Sequence, residues 1–117
     1  MNLQVRPYLL VTILLAMAIS TPSHAALVSG NVGEIVGVFT FSEVGSGDVV
    51  IEVQTPLATC QNGFWLRATD PGFKAMYAYA LTVHTAKLTI RATAYDDQIW
   101  TGSAGRYCRV YLLGTSW

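Results

Sequence analysis

The chain has 117 residues, of which 52% are hydrophobic, and its seven Lys and Arg residues balance seven Asp and Glu residues. This length corresponds to one small domain. A near-neutral chain offers no basic surface for nucleic acid, so we expect an uncharged partner rather than RNA or DNA.

The first 25 residues have the three parts of a secretory signal peptide. Arg6 precedes an apolar run over residues 9–19, and small residues follow up to Ala25, where a signal peptidase would cut. The alternative is a membrane anchor, which the short run disfavours because a bilayer-spanning helix needs roughly 20 apolar residues. We predict residues 1–25 as a signal peptide, residues 26–117 as the mature domain, and a secreted or periplasmic location.

The first half of the mature chain predicts three strands. Residues 34–42 are rich in β-branched and aromatic side chains, and the turn-forming residues 45–48 separate them from a similar run over residues 49–54. This arrangement is typical of a β-hairpin. A loop then leads to Cys60 and to a short third strand over residues 64–67.

Residues 70–87 (DPGFKAMYAYALTVHTAK) predict a helix. Asp70 suits the N-cap, and Pro71 suits the first helical position, where its missing N–H costs nothing. A spacing of three and four residues gives one apolar face for the core, formed by Phe73, Met76, Tyr77, Ala80, Leu81 and His84.

A second, adjoining helix face is also apolar and includes Ala75, Tyr79 and Val83. This face has two explanations. Either it flanks the core within its own chain, or it packs on a neighbouring subunit, where tyrosine is favoured because it combines apolar area with a polar tip.

Two strands, over residues 88–95 and 107–113, complete the domain. Five strands with one helix between strands 3 and 4 predict a mainly β fold, a small OB-fold-like five-stranded barrel. Such barrels bind oligonucleotides, oligosaccharides or proteins, so the fold alone does not determine the function.

Cys60 and Cys108 are the two cysteines of the chain. In an exported protein such a pair predicts a disulfide, which would stabilise the fold by roughly 4 kcal/mol. The alternatives are a thiol metal site or a catalytic cysteine. Because His84 is the single histidine after residue 25, ligands for zinc are too few, and we expect neither a metal nor a cofactor.

Several motifs between Phe73 and Trp100 carry a family resemblance. The helix contains Tyr-x-x-Ala-Leu at residues 77–81, a Leu-x-Ile strand begins at residue 88, and Trp100 follows Tyr95-Asp96 closely. In these motifs the chain resembles the binding (B) subunits of pentameric bacterial toxins, in particular the subtilase cytotoxin type.

The resemblance implies a secreted OB-fold subunit that forms a homopentameric ring, with helices around a central pore and Ala75, Tyr79 and Val83 near the oligomer interface. It also implies a cell-surface glycan as ligand and a separate catalytic A subunit as partner. In relatives that bind sialylated glycans a serine contacts the sugar carboxylate. Val36 occupies that place here, which argues against sialic acid.

The predicted loop over residues 95–106 (YDDQIWTGSAGR) has the side-chain types that bind sugars. Aromatic rings pack on sugar C–H faces, and planar polar groups bind the hydroxyls. The candidate glycan-binding residues are Tyr95, Asp96, Asp97, Trp100 and Arg106, with Glu34 as a further acceptor at the rim. The alternative is that Trp100 fills the barrel, Asp96 and Asp97 form a turn, and Arg106 pairs with one of them.

The sequence does not predict an enzyme. Adjacent carboxylates such as Asp96 and Asp97 rarely flank one scissile bond as glycosidase chemistry requires, and no Gly-rich phosphate loop is present. Two functions remain: a glycan-binding subunit of a toxin-like assembly, or a stand-alone exported interaction protein that uses the same barrel without binding sugar.

Overall fold

The computed structural model describes residues 26–115. The predicted signal peptide lies outside the described residues. Within them the chain forms six strands and one helix: β1 (Leu27–Gly33), β2 (Ile35–Thr40), β3 (Val49–Val53), β4 (Gly63–Leu66), α1 (Phe73–Thr85), β5 (Ile90–Ile99) and β6 (Tyr107–Thr115). In this part of the chain, no helix is long and apolar enough to cross a membrane.

The mainly β class with one helix is confirmed, but the five-stranded barrel is not, because six strands form one sheet that is not a closed barrel. The structure adds β1, which the sequence reasoning missed, so α1 follows the fourth strand rather than the third. The segment around Ser29-Gly30-Asn31 has weak strand propensity by itself. Its conformation comes from antiparallel pairing with β5. The first pair in this register is Leu27 with Tyr95.

The six strands form one sheet in the order β1-β5-β6-β4-β3-β2. Neighbouring strands are antiparallel except β4 and β6, which are parallel. β1 and β2 lie at opposite edges although only Glu34 separates them in sequence. The chain bends there at Gly33, whose positive φ of 71° favours glycine.

Helix α1 packs on the core face of the sheet through a narrower stripe than predicted. Ala80 and Val83 are fully buried, whereas Leu81 is 39% exposed. Phe73, Met76, Tyr77 and Tyr79 pack on the core from its margins. The buried stripe is therefore rotated toward Val83, which joins the core of its own chain.

The start of α1 also differs from the prediction. The helix begins at Phe73, its N-cap is Gly72, and no side chain caps it. Asp70 accepts hydrogen bonds from Arg67 instead, at 2.8 Å from Nε and 2.7 Å from Nη2. The carboxylate therefore forms an ion pair with Arg67 and does not cap the helix.

The predicted disulfide between Cys60 and Cys108 is confirmed, with the two Cα atoms 5.4 Å apart. Both residues are fully buried. The bond ties the segment before β4 to the start of β6, where Phe64 lies opposite Cys108 in the parallel pair. It therefore fixes the strands on which the candidate site is built.

Candidate functional site

The segment that was predicted as a recognition loop is half strand. β5 extends to Ile99, so only residues 100–106 form a loop between β5 and β6. Asp96 and Asp97 are strand residues, and the Asp96 backbone N–H donates to the Ala26 carbonyl. The alternative that these two aspartates form a turn is therefore wrong.

Arg106 holds the ends of this loop together. Its Nε donates to the Thr59 carbonyl at 2.9 Å and its Nη2 donates to the Asp96 carbonyl at 3.2 Å. Its backbone N–H donates to Asn62 Oδ1 at 2.8 Å. The guanidinium contacts the backbone of Asp96 rather than either carboxylate, so the predicted Arg106–carboxylate pair is wrong and the side chain is engaged in loop closure.

Trp100 is 4% exposed and does not offer a free face to a ligand. Its ring lies 4.8 Å from the Phe41 ring and 5.9 Å from the Tyr107 ring, measured between centroids. The indole N–H donates to Asp48 Oδ2 at 3.3 Å. The alternative of a buried Trp100 is the one the structure supports.

The cluster around Trp100 lies on the outer face of the sheet. Side chains alternate along a strand, and Val49 and Ile51 belong to the main core, so Val50 and Glu52 point to the opposite face. Val50 is buried there at 2% exposure. Val50 lies beside Trp100 and Phe41 on this face, and together they form a second small hydrophobic cluster.

A cleft of about 270 Å³ opens beside this cluster. We call it the aromatic cleft, and its walls include Phe39, Phe41, Glu52, Trp100, Ser103 and Tyr107. Phe39 is 47% exposed, so it provides the accessible aromatic face that Trp100 does not. The volume is near the lower end of the roughly 300–1,000 Å³ of ligand pockets and suits a small group.

The carboxylate of the aromatic cleft is held in place. The Tyr107 hydroxyl donates to Glu52 Oε1 at 3.0 Å. Burial raises the pKa of Tyr107 above its usual value, and the hydrogen bond to Glu52 and the negative charge of Glu52 act in the same direction. Tyr107 therefore keeps its proton and remains a donor to the carboxylate.

Gly63 allows β4 to lie close to β3 beside this contact. It lies in β4, between β6 and β3, and pairs with Tyr107. A Cβ on Gly63 would overlap the Ile51 carbonyl oxygen, and its φ of 129° excludes other residues. A side chain at this position would displace the β3 backbone at Ile51 and Glu52, from which the carboxylate of the cleft extends.

Sequence reasoning missed Phe39, Glu52 and Tyr107. One signal was available, because Glu52 is a charged residue inside an apolar strand (VVIEV) and so marks the outer face of that strand. The contact between Tyr107 and Glu52 crosses 55 residues of sequence and carries no local signal.

The other predicted site residues are separate from the aromatic cleft. Tyr95 lies in β5 and lines a different cleft, together with Arg109 and Tyr111. Glu34 lies between β1 and β2, where its backbone N–H donates to Gln54 Oε1 at 3.0 Å. The structure therefore brings only Trp100 of the predicted glycan-binding residues into the walls of the aromatic cleft.

The three residues predicted at the oligomer interface differ in how exposed they are. Ala75 is exposed, and Tyr79 is partly buried, with a hydroxyl that has no partner within residues 26–115. Val83 is 1% exposed and packed inside its own chain. Its assignment to the oligomer interface is therefore corrected to a core position.

Comparison with known proteins adds no assignment, since no protein-family model, curated protein or solved structure matches the chain significantly. The chemistry of the described residues must carry the interpretation. Residues 26–115 contain no cluster of His, Cys, Asp and Glu side chains that could hold a metal ion. His84 Nδ1 lies 2.7 Å from the Ile35 carbonyl oxygen, to which an N–H at that position would donate.

Proposed function

We propose that this chain is a secreted glycan-binding subunit whose aromatic cleft holds a neutral sugar ring. One observation carries the proposal: the exposed ring of Phe39 lies in the same cleft as a carboxylate that Tyr107 orients. A pyranose presents a C–H face that packs on an aromatic ring and hydroxyl groups that donate to a carboxylate. Such hydrogen bonds are strong because the acceptor is charged.

The composition of the cleft favours an uncharged sugar. Glu52 is its charged residue, and no Lys or Arg side chain lines it. A carboxylated sugar would place like charges together, which is unfavourable in a partly enclosed site. Oε1 of Glu52 accepts from Tyr107, so the second carboxylate oxygen serves the sugar hydroxyls.

We further propose that the open sheet corresponds to an OB-like barrel. β1 and β2 are separated by one residue and occupy the two edges, so together they act as one bent strand that joins both edges. Counted in this way the fold has five strands, with the helix between the third and the fourth. The backbone hydrogen bond from Thr55 N–H to the Val32 carbonyl, at 3.0 Å, supports closure at this corner.

The proposed assembly is a homopentameric ring that carries a separate catalytic A subunit. Its interface would use the exposed side of α1, where Ala75, Ala78 and Thr82 are small enough for a neighbouring helix to approach closely. Tyr79 borders this side with the exposed part of its ring, whereas its unpartnered hydroxyl is buried within its own chain. That the chain itself is not an enzyme stays a prediction.

Glycan-array screening followed by calorimetry tests the sugar site. We expect Glu52→Gln and Phe39→Ala to abolish the signal. Glu43→Gln makes the same change as Glu52→Gln, and Leu88→Ala also truncates an exposed apolar side chain to alanine; both positions are exposed outside the cleft, and both variants should retain the signal. Circular dichroism verifies that all four variants fold. Absence of binding to any glycan, or equal losses in the control variants, would contradict the proposal.

Light scattering on the purified protein tests the ring. A mass of about five protomers supports it, and a mixture with an exported catalytic chain should then form a larger complex. A monomer at micromolar concentration, with no glycan bound, favours the alternative of a stand-alone exported interaction protein.

A further inference from the structure

A second cleft, of about 270 Å³, lies between the start of α1 and strands β4, β5 and β6. We call it the arginine cleft, and its walls include Arg67, Asp70, Phe73, Tyr95, Arg109 and Tyr111. It shares no lining residue with the aromatic cleft. Its chemistry is also different, because two guanidinium groups face it.

Positive charge is incompletely neutralised in the arginine cleft. Asp70 is the one carboxylate in its walls. Its Oδ1 pairs with both Nε and Nη2 of Arg67, at 2.8 and 2.7 Å. Nη1 of Arg109 reaches the same oxygen at 3.5 Å, at the limit of a hydrogen bond. One guanidinium therefore has a strong anionic partner and the other does not.

Arg109 is held in this state by its surroundings. The side chain is 13% exposed, and its guanidinium carbon lies 4.6 Å from the centroid of the Tyr95 ring. Its Nε is buried without a hydrogen-bond partner within residues 26–115. A cation–π contact fixes the plane of the group but does not satisfy its N–H donors.

The start of α1 adds to the same potential. Gly72 lines the cleft and is the N-cap of a 13-residue helix that has no side-chain cap and no acidic residue in its first turn. The Phe73 N–H donates to the Asp70 carbonyl at 3.1 Å, and the positive end of the helix dipole still favours an anion. The positive potential of Arg67, Arg109 and the helix start therefore exceeds the single negative charge of Asp70.

The remaining walls are mostly apolar and include three aromatic side chains. Tyr95 and Tyr111 meet edge to face with their centroids 5.7 Å apart, and Tyr111 is 54% exposed. Phe73 closes the side toward the helix. A ligand that fits this cleft combines a planar anion with a ring that can pack on these side chains.

We propose that the arginine cleft binds a small carboxylate attached to a ring, independently of the sugar site. The carboxylate bridges Arg109 and Arg67, and the ring packs between Tyr111 and Phe73. Two sources have this chemistry, an aromatic acid and a sugar acid. Both are small molecules with one carboxylate, and the cleft recognises the feature that they share.

The test is an NMR titration of the ¹⁵N-labelled protein with matched probe pairs. Benzoate is compared with benzamide, and glucuronate with glucose, so that each pair differs in the charged group. We expect at least one acid to shift the amide signals of residues 67–70, 72, 73 and 109–111, with the neutral partner about tenfold weaker or absent. Binding of benzoate alone identifies an aromatic acid, and binding of glucuronate alone identifies a sugar acid.

Variants assign the binding to this cleft. Arg67→Gln should weaken binding about tenfold, whereas Arg91→Gln, the same change at an exposed position outside the cleft, should not. Gly72→Asp has open space around it. It should cap the helix, neutralise the cleft and abolish binding in a folded protein. Glu52→Gln should have no effect, which separates this proposal from the sugar site.

Three results would overturn the proposal. Neither acid shifts the signals of this cleft, or a neutral partner shifts them as strongly as its acid does, or Arg91→Gln weakens binding as much as Arg67→Gln does. If neither acid acts, the cleft is not a carboxylate site. If the neutral partner acts equally, the cleft is an apolar pocket. If Arg91→Gln acts equally, the weaker binding reflects the overall charge of the protein.

Discussion

Replacing Asp48 with alanine tests whether the outer-face cluster depends on one buried carboxylate. Asp48 is 6% exposed and accepts two hydrogen bonds. Oδ2 receives the indole N–H of Trp100 at 3.3 Å, and Oδ1 receives the backbone N–H of Ala68 at 3.2 Å. Alanine removes both acceptors and leaves a donor on Trp100, which is itself 4% exposed.

The magnitude follows from these two bonds. A buried donor without a partner costs about 1–3 kcal/mol, and the part-buried amide of Ala68 costs less because water can reach it. The long N–O distance to Trp100 places its share in the lower half of that range. We therefore expect Asp48→Ala to lower the free energy of unfolding by about 2–3 kcal/mol.

The assay is urea unfolding followed by far-ultraviolet circular dichroism, within a double-mutant cycle with Trp100→Phe. Phenylalanine has no indole N–H, so Asp48→Ala should cost about 1–2 kcal/mol less in that background than in the wild type. A coupling below about 0.3 kcal/mol, the usual error of additivity, would refute the idea that this hydrogen bond holds the loop on the sheet.

Three further predictions concern the support of the aromatic cleft. Replacing Cys60 and Cys108 with alanine opens a loop of 48 residues and should lower the free energy of unfolding by about 4 kcal/mol in urea titrations; a loss below about 1 kcal/mol would contradict this account. Because the pKa of Tyr107 is raised above 10.0 in the folded state, the stability it contributes is present below pH 10 and lost as the pH rises through the raised value. Urea unfolding should therefore show a smaller loss of stability above pH 10 in Tyr107→Phe than in the wild type, and equal losses would contradict the assignment. Gly63→Ala should cost at least about 2 kcal/mol from backbone strain and overlap and should abolish sugar binding, whereas Gly72→Ala, which has open space, should change stability by less than about 1 kcal/mol.

What the sequence predicted depended on local information. Residue type alone predicted the strands over residues 49–54 and 107–113. The Cys60–Cys108 disulfide followed because each of the two cysteines has only one possible partner. β1 was missed because its strand conformation comes from pairing with β5, which lies more than 50 residues away.

The candidate site was harder to predict for the same reason. Trp100 lies in a polar segment, so the sequence left both a sugar-binding and a buried position open, and the residues that bury it, Phe41 and Asp48, are distant in sequence. Phe39, Glu52 and Tyr107 come from three strands, and their proximity depends on the order of those strands in the sheet. A chain without this strand order would keep the same residue types and lose the cleft.

The aromatic cleft is built for rigidity, and this bears on how tightly it can bind. Binding loses affinity when side chains must be ordered first. In this cleft Tyr107 already holds Glu52, and Arg106 closes the loop through two backbone carbonyls. The disulfide fixes Cys108, the residue next to Tyr107, to the segment before β4. Phe39 is therefore the wall residue whose side chain can still lose conformational entropy on binding, because it is 47% exposed on the edge strand β2. If the proposal is correct, a sugar should order Phe39 alone, and its ring signals should sharpen on binding while those of Tyr107 stay unchanged.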